Sequence, residues 1–212
     1  MKVVSLLTQK GGTGKTTLAA SIGVAAYEQG DRVFLIDMDQ QRSLVGWSRR
    51  RTQETPSVDY ITPDKLSRAI ETLYRNDYSI VIIDTAGSDS AASAAAIKAS
   101  DLCLIPARPS VLDIEASRPT IESLARLQRQ FAFVLNQAPV GRTTRPLDAS
   151  RALGLLGVLA PVIVAQRSDH MDAIALGLGV TEFNHGGKAA KEVRDLWIWV
   201  RKRIEAEAHG KT

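Results

Sequence analysis

Lys10-Gly11-Gly12-Thr13-Gly14-Lys15-Thr16-Thr17 stands between an apolar run at residues 3–7 and a helix-like stretch at residues 16–29 that ends at Gly30. Strand, glycine loop and helix, in that order, is what phosphate binding requires. Glycines let the backbone curl and aim successive N–H groups at an anion lying on the helix N-terminus. Lys15 then reaches the β- and γ-phosphates of a nucleoside triphosphate, and the Thr16 hydroxyl is placed to ligate Mg²⁺. The common form of such a loop, Gly-x-x-x-x-Gly-Lys-Ser/Thr, would put glycine where this chain has Gln9. A plain glycine turn flanked by two surface lysines is the alternative, and the strand and helix on either side speak against it.

Outward from the loop, short β-branched runs alternate with longer helix-like stretches. The runs fall at residues 2–7, 32–36, 79–83, 102–105, 131–135 and 158–164, with a further edge strand at 58–61. Runs that are apolar on both sides of the pleat suit buried parallel strands, and the intervening segments are long enough for crossover helices. Helices are expected at residues 16–29, 64–76 behind Pro63, 90–99 and 114–129. The fold class expected is α/β, a doubly wound, mainly parallel sheet with helices on both faces. At 212 residues and 44% hydrophobic content, with neither repeat nor linker, the expectation is a single domain over 1–212. No apolar run approaches a membrane span, so a soluble cytoplasmic protein is expected. One cysteine, Cys103, excludes disulfides and multi-cysteine metal sites within the chain. A net charge of +4 permits nucleic-acid contact without requiring it.

Two further strands end in carboxylates. Residues 32–36 lead into Asp37-Met38-Asp39-Gln40-Gln41, and alternation puts both aspartates on one side at the C-terminal strand end, where ligands sit in such sheets. Ser79-Ile80-Val81-Ile82-Ile83-Asp84 is a hydrophobic strand delivering an aspartate, the pattern of a Walker B motif, and Asp84 is expected to hold Mg²⁺ through water. Thr85-Ala86-Gly87 follows, a turn able to move when a γ-phosphate arrives or leaves. A single strand ending in aspartate is weak; loop, paired aspartates and Walker B in this order are a strong signal.

With its Lys-Gly-Gly-x-Gly-Lys-Thr loop, the chain resembles the deviant Walker A ATPases, the family of ParA, MinD and the nitrogenase iron protein. The resemblance implies an ATP- and Mg²⁺-dependent ATPase that closes as a nucleotide-sandwich homodimer, with Lys10 crossing to the partner's ATP as an added cation. It implies that Asp39 positions the attacking water and that Asp37 is an outer-shell magnesium partner. Gln40 stands where the family usually has proline, while Gln41 keeps the glutamine position. Pro109-Ser110-Val111-Leu112-Asp113 resembles a segment near the dimer face, and Phe133-Val134-Leu135-Asn136 a strand whose terminal asparagine faces adenine. Asn136 is the base-recognition candidate, with Pro161 near the nucleotide. Gln166, Arg167, Asp172, Ala173, Gly177 and Glu182 are similar to the C-terminal section of small plasmid ParA proteins.

Within that family the lone Cys103 cannot supply the cluster ligands of the iron protein. MinD-like members end in a membrane-targeting helix, but the stripe Val193, Leu196, Trp197, Val200 and Ile204 is expected to dock on the core, with Ile198 and Trp199 off it. A membrane is therefore not an expected partner. The ParA branch implies nonspecific DNA binding by the ATP dimer, for which Arg142, Arg145, Arg151, Arg167, Lys188, Lys191 and Arg194 are candidates, each singly as readily a solvated charge. Arg49-Arg50-Arg51 is the densest basic run. Nine residues precede Lys10, as in the small class without an N-terminal helix-turn-helix domain. The implied partner is a ParB-like centromere-binding or adaptor protein that stimulates hydrolysis, and the implied location the nucleoid. The alternatives are ParA-like positioning of a protein cargo, such as a chemoreceptor cluster or carboxysome, and a MinD-like membrane-surface ATPase.

Overall fold

Strands apolar on both faces need helices above and below, and the chain supplies them. The computed structural model describes residues 1–87, 90–141 and 143–209. Six strands make one parallel sheet: β1 (Lys2–Leu6), β2 (Val33–Asp37), β3 (Ser57–Tyr60), β4 (Ile80–Asp84), β5 (Leu102–Ala107) and β6 (Phe131–Leu135). Their order is β3-β2-β4-β1-β5-β6, with every pairing parallel. The helices are α1 (Lys15–Glu28), α2 (Ser43–Ser48), α3 (Leu66–Arg75), α4 (Ser90–Ala99), α5 (Val111–Ala116), α6 (Arg118–Arg126), α7 (Arg145–Leu156), α8 (Ser168–Ala175), α9 (Val180–Phe183) and α10 (Lys188–His209). The doubly wound α/β architecture expected from the sequence is the one observed.

Alternation along β1 divides the core. Val4 and Leu6 face a cluster built with α1, α2, α9 and α10, while Val3 and Leu7 face one built with α3, α4, α6 and α7. Helix α1 is apolar nearly all round because it lies between sheet and α10, burying Leu18, Ile22 and Val24. The stripe Val193, Leu196, Trp197, Val200 and Ile204 on α10 is buried in that same cluster, so core docking accounts for it. Among the described residues no helix is long and apolar enough to cross a membrane. Cys103 on β5, between β1 and β6, is fully buried.

Two sequence expectations are corrected. Residues 158–164 form no regular strand; one isolated parallel bridge, Phe133↔Leu159, falls within them and a second, Ala138↔Ala165, just past their end. The pairing breaks because the chain slips: Ala160 N donates to the Phe133 carbonyl, the next donor to β6 is Val164 N to the Leu135 carbonyl, and residues 161–163, with Pro161 first among them, loop out as a bulge on this edge. Residues 114–129 are not one helix. The chain turns helical at Val111, breaks at Ser117, and restarts as α6 with Pro119 in its first turn, the helix position proline tolerates.

Candidate nucleotide-binding site

Parallel register gathers the site at the C-terminal edge of the sheet centre. Asp84 lies beside Leu6 on one side and Asp37 on the other. The loop leaving β1 is therefore delivered next to Asp84, with Asp37 one strand further along the same edge. Gly12 and Gly14 take positive φ, 75° and 86°, and a Cβ on Gly14 would stand 2.6 Å from Asn136 Nδ2. Only glycine combines that backbone conformation with that close approach. From the β6 side, Asn136 Nδ2 donates to the Thr13 carbonyl at 2.7 Å and Gln137 Nε2 to the Gly12 carbonyl at 3.0 Å, bracing the loop.

Beside the loop opens a cleft of about 790 Å³, lined by Gly11, Gly12, Gly14, Lys15, Thr16, Thr17, Asp39, Gln41, Arg42, Ala86 and Gly87, among others. Burial lowers the Lys15 pKa, against the pull of Asp84 and Asp39. The Thr16 hydroxyl donates to Asp84 Oδ2 at 2.6 Å. Burial pushes the Asp84 carboxyl up to about 7; the Thr16 hydrogen bond and Lys15 oppose the rise, while Asp37 and Asp39 add to it. Asp84 Oδ1 is buried without a partner among the described residues. A hydroxyl and a carboxylate with one uncommitted oxygen, beside a phosphate loop, suit Mg²⁺, which keeps several waters and takes its other ligands from phosphate. No group of three or more His, Cys, Asp and Glu side chains gathers among the described residues.

The other two aspartates differ sharply. Asp37 is fully buried; its Oδ1 accepts from Asp39 N, and its Oδ2 accepts from Leu44 N and Val45 N, all at 3.0 Å. Burial raises its pKa against these three N–H bonds. The carboxylate named as an outer-shell magnesium partner thus also fastens the start of α2. Asp39 lines the cleft half-buried, its Oδ1 accepting from Gln41 N at 2.9 Å.

A smaller pocket of about 280 Å³ continues on the far side of Gly14, lined by Thr17, Leu18, Asn136, Gln137, Ala165, Gln166, Arg167, His170 and Met171. Asn136, the base-recognition candidate, lines this pocket with its amide N–H committed to the loop. Pro161, expected near the nucleotide, is exposed and lines neither cavity. The chain first runs beside β6 and reaches the pocket only at Ala165. His170 was not anticipated; burial lowers its pKa, and neither ring nitrogen has a partner among the described residues. A lone histidine in a helix carries no sequence signal for this.

Lys10 turns away from its own cleft, which it does not line. Its ammonium pairs with Asp113 Oδ1, 103 residues along the chain. Arg108 binds the same carboxylate, Nε to Oδ2 at 2.7 Å and Nη2 to Oδ1 at 3.2 Å. Burial alone would raise the Asp113 pKa, but the bonds from Arg108 and Lys10 outweigh it and hold the carboxyl below its usual value. Next to this cluster, Val111 and Leu112 on α5 are 70% and 67% exposed.

The basic candidates divide. Arg51 is no surface charge: its guanidinium stacks on Trp47 and binds both Glu182 oxygens at 2.9 and 2.8 Å, tying α2 to α9. Arg167 pairs with Glu192 and Lys191 with Asp195, while Arg194 donates to the His185 carbonyl. Arg145, Arg151 and Lys188 are exposed and have no carboxylate partner among the described residues. Arg142 lies outside the described residues.

Residues 4–159 match the family model of the CobQ/CobB/MinD/ParA nucleotide binding domain. The maintenance of carboxysome distribution protein A of Gloeobacter kilaueensis is 30% identical over 210 residues, covering 97% of this chain and 95% of that protein. ParA of Rhizobium radiobacter is 30% identical over 166 residues, 77% of this chain and 73% of its own. Among solved structures, the septum site-determining protein MinD of Pyrococcus horikoshii, complexed with Mg-ADP, superposes with a TM-score of 0.75 at 19% identity, covering 94% of this chain and 95% of that one. The family model spans well over half of the chain, and the protein belongs to the CobQ/CobB/MinD/ParA family of nucleotide-binding proteins.

Proposed function

We propose that the chain is a Mg²⁺-dependent, ParA-like ATPase, one domain over 1–212, that closes as a homodimer on ATP, binds nonspecific DNA and partitions plasmid or chromosomal DNA. A ParB-like centromere-binding or adaptor partner stimulates its hydrolysis, and it works in the cytoplasm on the nucleoid. The observation that carries this reading is the division of labour between the two lysines. Lys15 lines the cleft, whereas Lys10 leaves it for a cluster beside the exposed α5. A cation turned out of its own site is available to a second copy's nucleotide.

In this reading the loop amides of Gly11 to Thr17 and Lys15 cradle the phosphates, and Asn136 faces the base. Thr16 and Asp84 hold Mg²⁺, which when bound neutralises charge on the phosphate oxygens. Asp37 keeps α2 and the loop before it in place, so that Asp39 orients the attacking water. Light scattering with Mg-ATP tests it: the wild type dimerises, Lys15→Ala loses nucleotide binding, and Lys10→Ala binds ATP but stays monomeric. Nucleotide binding that survives Lys15→Ala would sink the proposal.

A second reading, positioning of a protein cargo on the nucleoid, is supported by the 30% identity to a carboxysome-distribution protein over 97% of this chain. Fluorescent fusions separate the two: loss of the gene destabilises a plasmid in one case and scatters a protein cluster in the other.

A further inference from the structure

Asp113 is claimed twice. Its side chain is 1% exposed, and the two cations upon it are 30% and 34% exposed at Lys10 and Arg108. They reach it differently. Lys10 comes from the far end of the chain and touches one oxygen. Arg108 lies five residues away in the loop between β5 and α5, and binds both oxygens through its guanidinium and Oδ2 again through its backbone N–H at 3.3 Å. That loop is itself tied by Ser110 N to the Arg108 carbonyl at 2.7 Å and Asp113 N to the Ser110 carbonyl at 3.1 Å. The local pair is fixed by a short closed loop, so the long-range one is free to leave first.

We infer that Arg108 is the positioning residue of the lysine switch: it holds the Asp113 carboxylate when Lys10 departs, so that Lys10 crosses to a partner's nucleotide without stranding a buried charge. The inference rests on the dimer reading above. Without Arg108, Lys10 is the only cation on Asp113 among the described residues. Its departure would then leave an uncompensated buried carboxylate, the costly way to break such a pair. The consequence runs against intuition: removing a positive charge beside the dimer face tightens the grip on Lys10 within its own chain.

The test uses the full chain in two assays. In light scattering with Mg-ATP, Arg108→Ala raises the dimer dissociation constant at least about tenfold while leaving the ATP dissociation constant of the monomer unchanged. The double variant Arg108→Ala/Asp113→Asn restores dimerisation, since the carboxylate to be compensated is gone. A side chain that merely touched the partner, or only supported the loop, would show no such rescue. In the second assay, acetic anhydride labels Lys10 in the nucleotide-free monomer, read by mass spectrometry. Lys10 reacts more slowly in Arg108→Ala than in the wild type, and faster in Asp113→Asn. Equal labelling of wild type and Arg108→Ala would overturn the inference whether or not dimers form. Dimerisation that is normal in Arg108→Ala, or that stays absent in the double variant, would overturn it too. A wild type that binds ATP and never dimerises would instead overturn the dimer reading, with the labelling rates still deciding the role of Arg108.

Discussion

Asp84 is buried at the sheet edge with one carboxylate oxygen unpartnered among the described residues. Burial, with Asp37 and Asp39 adding to it, keeps its carboxyl protonated up to about pH 7. The unfolded chain releases that proton near pH 4, so between pH 4 and 7 the native state binds more protons and loses stability as pH rises. Asp84→Asn removes the titration. Its nucleotide-free Tm at pH 8 is expected to exceed the wild type's by several degrees, at about 2–4 °C per kcal/mol for a chain of this size, as scanning fluorimetry will read. Mg²⁺ works in the opposite sense, because it selects the carboxylate. Apparent affinity for Mg-ATP should rise from pH 6 to 8 in the wild type, and titration calorimetry should find that rise gone in Asp84→Asn. In the proposed function Asp39 acts later, on the attacking water. Asp39→Ala is expected to slow single-turnover hydrolysis by about 10²–10⁴-fold, the usual scale for losing a positioned acid–base group, with ATP binding retained.

Among the elements, α2 is held at both ends. Asp37 accepts from its first amides, and Arg51, just past its last turn, is locked to Glu182 on α9. Glu182→Ala leaves a guanidinium that is 1% exposed without its carboxylate and should cost about 3 kcal/mol, the low end for breaking a buried pair, measured by urea unfolding. Helix α2 follows the loop carrying Asp39, so the same variant is expected to slow hydrolysis as well. These connections also mark where sequence reading stops. The strands were legible because Val3-Val4 and Ile80-Val81-Ile82-Ile83 are apolar on both faces, and the glycine loop because its chemistry is local. Asp37 and Asp84 could be placed at one sheet edge because a strand's end is read directly from its pattern. The six-residue α2 has too few turns to show a period. The pairs Lys10–Asp113 and Arg51–Glu182 span 103 and 131 residues, and no spacing rule connects residues so far apart. Residues 158–164 misled for a simpler reason: their apolar character is that of a strand, and a bulge at residues 161–163 that no periodicity announces interrupts the pairing.

At the scale of the whole molecule, internal pairing divides the cations proposed to meet DNA into those already held by a partner and those left exposed. Arg145, Arg151 and Lys188 are the cations free to meet phosphate among the ParA-type candidates that are described. Replacing all three by glutamate should abolish ATP-dependent binding to random DNA. Replacing one should lower the slope of log K against log salt by about 0.9 for each DNA phosphate it no longer neutralises, as fluorescence anisotropy across a salt series will report. Arg167, spent on Glu192, should matter far less. The buried Cys103 has its own use. Burial pushes its thiol up to about 12, and it is the chain's only cysteine. The native protein should therefore ignore maleimide dyes and react only once unfolded. A cysteine introduced at Leu112 would then be the sole address for a fluorophore, turning the molecule into its own ruler for watching two copies meet.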